Sequence, residues 1–118
     1  MGFQRTPTVS VEDVERIALR DFPSESGRVM EILRKYGTED WHRETDRVRL
    51  AALKLASGNI DRLCSTIETA KCDYRDVLAP AQYSEYSRIV GPSEAVSPAE
   101  WERIIDADWK QYVEWLAR

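Results

Sequence analysis

The sequence predicts an all-α fold, a compact bundle of four main antiparallel helices followed by an aromatic-rich C-terminal helix. Apolar residues recur at helical spacing along most of the chain, and no segment alternates as a half-buried strand does. Connections between the helical segments are short, which favours antiparallel neighbours. At 118 residues the chain is expected to form one domain over residues 1–118, with an irregular connection at residues 80–97.

Capping and stop signals place the first two helices. Ser10 and Asp13 form a capping pair for a helix over about residues 11–21. A second helix is predicted over about residues 24–36, because its apolar residues follow one helical face and Gly37 is a suitable C-terminal stop. Both segments are amphipathic, so each is expected to bury one face in the core.

The middle of the chain predicts two longer helices. The third, over about residues 38–57, has apolar residues on more than one side, so we expect it to lie at the centre of the bundle. Its main apolar stripe starts at Trp41. The fourth begins after Asn59 and ends near Pro80. It carries an apolar seam at heptad spacing, made of Ile60, Leu63, Ile67, Ala70, Tyr74 and Val77.

The C-terminal helix has the clearest start signal of the chain. Ser97 can cap it, Pro98 occupies the first helical position, and Glu100 follows three residues after the cap. Three of the four tryptophans lie in the last eighteen residues. Tryptophan and tyrosine are favoured anchors of protein interfaces because they bring a large contact area at low entropic cost. The interaction candidates on this helix are Trp101, Trp109, Tyr112 and Trp115.

Two stretches in the middle of the chain resemble short uncharacterised bacterial proteins. They are LAALKLASGN at residues 50–59 and IETAKCDYRDVLAPAQY at residues 67–83, and the resemblance covers about a third of the chain. It implies a helical fold, and it supplies no activity, ligand or catalytic residue.

Charge and apolar patterning bound the class of protein. The formal net charge is −4, and residues 63–118 carry six cations against ten anions, so nucleic-acid binding is not expected. No apolar run approaches the ~20 residues needed to span a bilayer, and the N-terminus lacks the apolar core of a signal peptide. Cys64 and Cys72 fall ~12 Å apart on one predicted helix, too far for a disulfide. These features predict a cytoplasmic protein without membrane contact.

Three charged residues interrupt the predicted apolar faces and are candidates for a ligand site. Glu44 shares the stripe of the third helix, Lys71 lies beside the seam of the fourth, and Asp108 lies in the middle of the last helix's apolar face. A charge in a core costs several kcal/mol unless it is paired. Lys71 could therefore pair with Asp108 or Glu44, or these residues could line an interhelical pocket with Tyr74. In either case we expect Asp108 to be at least half-buried and bonded to a cation or a tyrosine hydroxyl.

A short basic row lies on the third predicted helix, at Arg43, Arg47 and Lys54. Rows of this kind usually form a solvated helix face. This one could also meet an acidic partner, and the acidic C-terminal half of the chain is one such partner.

Little in the sequence supports catalysis or metal binding. His42 is the only histidine, with Glu39 and Asp46 about one turn to either side. That spacing could hold a divalent metal, but it is also common on helix surfaces. The sequence has no Cys-x-x-Cys pair, nucleophile elbow or glycine-rich phosphate loop. We therefore predict no catalytic residue, no metal and no cofactor.

The patterns together favour a non-catalytic function. A heptad seam, an aromatic terminal helix and the lack of a catalytic constellation are typical of a small helical interaction module. Such a module would bind a protein partner or a second copy of itself. The alternative is a small-ligand binder or an enzyme with an interhelical pocket around Lys71, Tyr74 and Asp108.

Overall fold

The structure, a computed structural model, describes residues 8–83 and 97–118, and all regular secondary structure in these residues is α-helical. The predicted all-α class is thereby confirmed. Most of the irregular connection predicted at residues 80–97 lies outside the described residues. The helices described are α1 (Val11–Asp21), α2 (Ser26–Leu33), α3 (Thr45–Ala56), α4 (Ile60–Cys72), α5 (Arg75–Gln82) and α6 (Pro98–Ala117).

Local capping starts α1 and α6 where the sequence predicts. At α1 the Ser10 backbone N–H donates to the Asp13 carboxylate at 3.0 Å. At α6 the Ser97 hydroxyl accepts from the Glu100 backbone N–H at 3.2 Å, and Pro98 is the first helical residue. Both predictions are accurate because each signal is contained within a few consecutive residues.

α3 lies at the centre of the described fold and packs against α1, α4 and α5. The C-terminal half of α6 joins the same core through Tyr112 and Trp115, and α6 packs against α5. The central position predicted for the third helix is confirmed for α3, because the buried residues of α3 occupy more than one of its faces. They are Val48, Leu50, Ala51, Ala52, Leu53 and Ala56.

α3 begins later than the sequence predicts, and the segment before it is a folded loop. The predicted helix starts at about residue 38, whereas α3 starts at Thr45. In this loop, side chains form hydrogen bonds to backbone N–H and C=O groups that would otherwise pair within a helix. The His42 Nδ1 atom accepts from three successive backbone N–H groups, and the Tyr36 hydroxyl bonds both the N–H and the C=O of Arg43. These local bonds compete with the helical pattern and displace it.

The predicted fourth helix is two helices, α4 and α5, because Asp73 interrupts it. Asp73 has extended backbone, with φ −157° and ψ 108°. Its carboxylate accepts hydrogen bonds from the backbone N–H and the guanidinium of Arg75 at 2.9 to 3.0 Å. Pro80 does not end a helix but lies on the exposed side of α5. The predicted seam continues across both helices, and its residues are buried or pack against the core.

The two cysteines of α4 form no disulfide. Both cysteines are free: Cys64 is partly buried against the core and Cys72 is exposed. Within residues 8–83 and 97–118, no helix combines the length and the apolarity that crossing a bilayer requires.

Candidate functional site

Asp108 is the most deeply buried carboxylate among the described residues. It is 1% exposed and lies on the face of α6 that also buries Ile105, Tyr112 and Trp115. The expectation that Asp108 is at least half-buried is therefore confirmed. Desolvating a carboxylate is costly unless a cation or a hydrogen-bond donor compensates for the lost water.

The Asp108 carboxylate acts electrostatically on Lys54 of α3. Burial lowers the pKa of the Lys54 ammonium, the Asp108 carboxylate opposes that shift, and Arg118 adds to it. Lys71 bonds Glu68 of its own helix at 3.0 Å, with 38% of the lysine side chain exposed. Of the predicted basic row, Arg47 and Lys54 lie in α3, Arg43 precedes it, and Lys54 is the residue on which Asp108 acts.

Two open clefts flank Trp115, where the end of α6 meets the ends of α1 and α3. The larger cleft, of about 780 Å³, has Lys54 in its wall. The smaller, of about 510 Å³, has Arg20 in its wall. Both clefts share Ser57, Trp115 and Arg118.

Arg20 of α1 fastens the last turn of α6 beside these clefts. Its Nη1 atom donates to the main-chain oxygens of Trp115 at 2.6 Å and Arg118 at 3.1 Å, and its Nε bonds Asp21 at 2.9 Å. The guanidinium carbon also lies 5.2 Å from the Trp115 ring centroid, within cation–π range. Through these contacts the Arg20 guanidinium holds the end of α6 against α1.

A second polar group is buried where α3, α5 and α6 meet, and we name it the donor cluster: Arg47, Gln82 and Tyr112. Gln82 is 3% exposed and Tyr112 is 1% exposed. Arg47 Nη2 donates to Gln82 Oε1 at 2.7 Å. Arg47 Nε, Gln82 Nε2 and Tyr112 Oη are buried without a hydrogen-bond partner among the described residues. Each unmet buried group of this kind costs about 1 to 3 kcal/mol, so the cluster has open hydrogen-bonding capacity.

The electrostatic environment of the donor cluster keeps the tyrosine neutral. Burial raises the pKa of Tyr112 to about 12, although the neighbouring Gln82 amide and the Arg47 charge lower it and Asp13 raises it. The Gln82 amide therefore lies beside the hydroxyl, but without the geometry of a full hydrogen bond. Tyr112 is thus available as an O–H donor throughout the neutral pH range.

Glu44 lies at the outer edge of the donor cluster and not in a core stripe. It precedes α3 with left-handed backbone, φ 53°, and makes no side-chain capping hydrogen bond. A non-glycine residue in this region stores about 1 to 3 kcal/mol of strain. The Glu44 carboxylate accepts from Arg47 Nη1 at 3.2 Å, and its side chain is 47% exposed against 14% for Arg47. The cluster therefore reaches solvent along this ion pair.

Residues 37–44 form a loop that we name the Trp41 loop. Trp41 is 56% exposed, so its predicted place in the apolar stripe of α3 is wrong. Its ring meets His42 edge-on at 4.2 Å, and His42 stacks on the buried Tyr36 at 4.4 Å. The N–H groups of residues 37–39 donate to His42 Nδ1 at 2.8, 3.1 and 3.3 Å, which assigns the imidazole proton to Nε2. His42 and Tyr36 therefore hold the loop in place, whereas the Trp41 indole is exposed to water.

The remaining sequence candidates lie in several places. Tyr74 precedes α5 and packs against the core, close enough to Tyr36 to raise the pKa of that phenol together with burial. Tyr112 and Trp115 pack against each other in the core, with ring centroids 5.5 Å apart. Trp101 and Trp109 are partly buried on α6.

Three features of these sites were not predicted from the sequence. The exposure of Trp41 was not predicted, although Gly37 and Asp40, two residue types that favour turns, precede it. Neither the burial of Gln82 nor the effect of Asp108 on Lys54 was predicted. These depend on how distant helices are aligned, and no local pattern in the sequence reports that alignment.

Neither metal-ligand geometry nor similarity supplies a function. Within residues 8–83 and 97–118, no three histidine, cysteine or carboxylate side chains are grouped so that they could hold a metal ion. The chain matches no protein-family model, no curated protein and no solved structure. The resemblance of residues 50–59 and 67–83 to short bacterial proteins stays a prediction.

Replacing Asp108 with asparagine is expected to lower the free energy of unfolding by about 1 to 3 kcal/mol, because it removes a buried negative charge that acts favourably on Lys54. Chemical denaturation followed by tryptophan fluorescence measures the change. Asp106→Asn is the matched control on the same helix, since Asp106 is 44% exposed and lies 3.7 Å from Lys110. Its effect is expected to stay below about 0.5 kcal/mol. Equal stability of Asp108→Asn and the wild-type protein would contradict a stabilising role of the Asp108 charge.

Proposed function

We propose that the chain is a non-catalytic interaction module, a bundle of antiparallel helices that binds a protein partner through the Trp41 loop. The observation that carries this proposal is the exposure of Trp41 on a loop fixed by His42 and Tyr36. Tryptophan is one of the residue types enriched among interface hot spots. A side chain that is already held in place loses little conformational freedom when it binds.

Charges around the indole indicate the kind of partner. Glu39 and Asp40 are exposed immediately before Trp41, and Arg43 is exposed after it. The Glu44 carboxylate is held by its ion pair with α3. The loop therefore presents an aromatic ring with an acidic edge. A partner with an apolar pocket and a basic rim would complement both features.

Other exposed apolar side chains are less suited to this role. Leu19 is 58% exposed on α1, and Val113 is 39% exposed on α6. Single apolar residues on helix surfaces are ordinary in monomeric proteins and need no partner. Leu19 therefore serves as a matched control for Trp41.

Trp41→Ala is expected to weaken partner binding about 30-fold or more, since a hot-spot tryptophan contributes about 2 kcal/mol or more. Its melting temperature is expected to equal that of the wild-type protein, because the indole is mostly in water. Proteins captured from the source cells on wild-type, Trp41→Ala and Leu19→Ala chains are compared, and each candidate is then titrated against all three. The expected partner binds the wild-type and Leu19→Ala chains alike.

Self-association is tested in the same series by light scattering over a range of protein concentrations. A concentration-dependent dimer that is lost in Trp41→Ala would identify a second copy of the chain as the partner. The proposal is overturned if every captured protein binds wild-type and Trp41→Ala chains equally. It is also overturned if Leu19→Ala loses binding as strongly as Trp41→Ala.

A further inference from the structure

We propose that the donor cluster binds one small monovalent oxyanion of the carboxylate class, represented by formate and acetate. The site is separate from the Trp41 indole and goes beyond the proposed interaction function. Three groups would hold the anion: Arg47 Nε, Gln82 Nε2 and the Tyr112 hydroxyl, all buried without a partner among the described residues.

The donor cluster has more donors than acceptors. Gln82 Oε1 accepts from Arg47 Nη2 at 2.7 Å, and the Glu44 carboxylate accepts from Arg47 Nη1 at 3.2 Å. The first bond fixes the amide, because the reversed amide would set its NH₂ group against the guanidinium. Gln82 Nε2 is thereby turned away from Arg47 and lies beside Tyr112. The donors that remain unpaired are the Nε–H of Arg47, the NH₂ group of Gln82 and the O–H of Tyr112.

A carboxylate satisfies these groups better than a water molecule does. Water would accept from two of them but would bring two O–H groups that themselves need acceptors in a buried place. A carboxylate brings acceptors alone and is attracted by the guanidinium. Arg47 also lies in the first turn of α3, whose N-terminal end has no side-chain cap and carries the positive end of the helix dipole.

Charge and access restrict the anion to a small monovalent one. The Arg47 charge is shared with Glu44, and the Asp13 carboxylate acts electrostatically on Tyr112. These two carboxylates disfavour a dianion such as sulfate. Gln82 is buried, whereas 14% of the Arg47 side chain is exposed. The anion would therefore enter the donor cluster beside the Arg47–Glu44 ion pair.

Titration of ¹³C-labelled formate into the purified chain, followed by NMR line width, measures binding. Thermal unfolding is measured in sodium formate, acetate, chloride and sulfate at equal ionic strength. The melting temperature is expected to rise and saturate with formate and acetate beyond its value in chloride or sulfate. Tyr112→Phe is expected to weaken formate binding about tenfold. Tyr74→Phe, a change at the partly buried tyrosine before α5, is expected to leave formate binding unchanged.

Gln82→Glu supplies an acceptor from the chain itself, and it tests formate binding at the donor cluster even if Tyr112→Phe does not fold. This variant places a carboxylate oxygen where the amide NH₂ lay, so it is expected to melt higher than the wild-type protein without formate and to show no formate response. A formate response retained in Gln82→Glu would overturn the proposal. So would the absence of any formate response in the wild-type chain, a chloride response equal to that of formate, or unchanged formate affinity in Tyr112→Phe.

Discussion

Replacing Arg49 with methionine is expected to lower the free energy of unfolding by about 2 to 4 kcal/mol and the melting temperature by about 10 °C. Arg49 of α3 donates from Nε to the main-chain oxygens of Leu33 at 3.1 Å and Tyr36 at 3.2 Å, and from Nη2 to that of Tyr36 at 2.7 Å. These carbonyls lie at and beyond the end of α2, where a helix leaves its last C=O groups without partners. Methionine retains an apolar stem but cannot donate.

The backbone after α2 is built closely around the Arg49 guanidinium. Gly37 has φ +107°, and a Cβ atom added there would lie 3.0 Å from Arg49 Nη2. Burial lowers the pKa of Arg49, and the Asp46 carboxylate opposes that shift. Tyr36 also supports His42 from beneath. Loss of Arg49 is therefore expected to loosen the Trp41 loop as well as to destabilise the fold.

Two further variants separate the cap from the charge. Arg28→Met removes a guanidinium whose side chain is 66% exposed, from a 3.4 Å pair with Glu25, and is expected to change stability by less than about 0.5 kcal/mol. Arg49→Lys keeps the charge but offers one ammonium to two carbonyls, so its stability is expected to fall between those of Arg49→Met and the wild-type protein. Urea denaturation of all the variants measures this order. A loss in Arg28→Met as large as that in Arg49→Met would contradict the capping role.

The accuracy of prediction along this chain follows the range of the interactions involved. α1 and α6 start at the predicted residues because Ser10 and Ser97 each act on groups a few residues away. The start of α3 and the break at Asp73 are different. Each depends on a side chain that hydrogen-bonds to the nearby backbone, as His42 and Asp73 do. The apolar periodicity of the sequence does not indicate such a hydrogen bond. Pattern therefore predicts helices well and misses the loops that side chains impose on them.

The candidate sites show the same division between local and distant interactions. The burial of Asp108 is predictable because Asp108 lies between apolar neighbours on one helix face. Its electrostatic effect on Lys54 is not predictable, because that effect depends on where α6 lies against α3. Gln82 at the end of α5 has the pattern of a solvated residue, yet it lies beside Arg47 of α3 and Tyr112 of α6 and is 3% exposed.

Alkaline pH is expected to destabilise the fold through Tyr112. Burial raises the pKa of this phenol to about 12 in the folded protein, whereas a tyrosine in an unfolded chain titrates at about 10. The unfolded chain therefore loses the proton first. The stability that Tyr112 contributes is complete below about pH 10 and is lost as the pH rises toward about 12, a change of about 2 to 3 kcal/mol in the free energy of unfolding.

Tyr112→Phe isolates this contribution because phenylalanine has no proton to lose. Denaturant unfolding from pH 9 to 12 is expected to bring the wild-type stability down relative to that of Tyr112→Phe by about 2 to 3 kcal/mol. Tyr36, whose pKa burial also raises, is present in both proteins and cancels in the difference. Parallel stability curves for the two proteins would refute the assignment. Formate bound at the hydroxyl would disfavour tyrosinate in the folded protein, so saturating formate should extend the wild-type loss to higher pH, leave its onset near about pH 10, and leave the Tyr112→Phe curve in place.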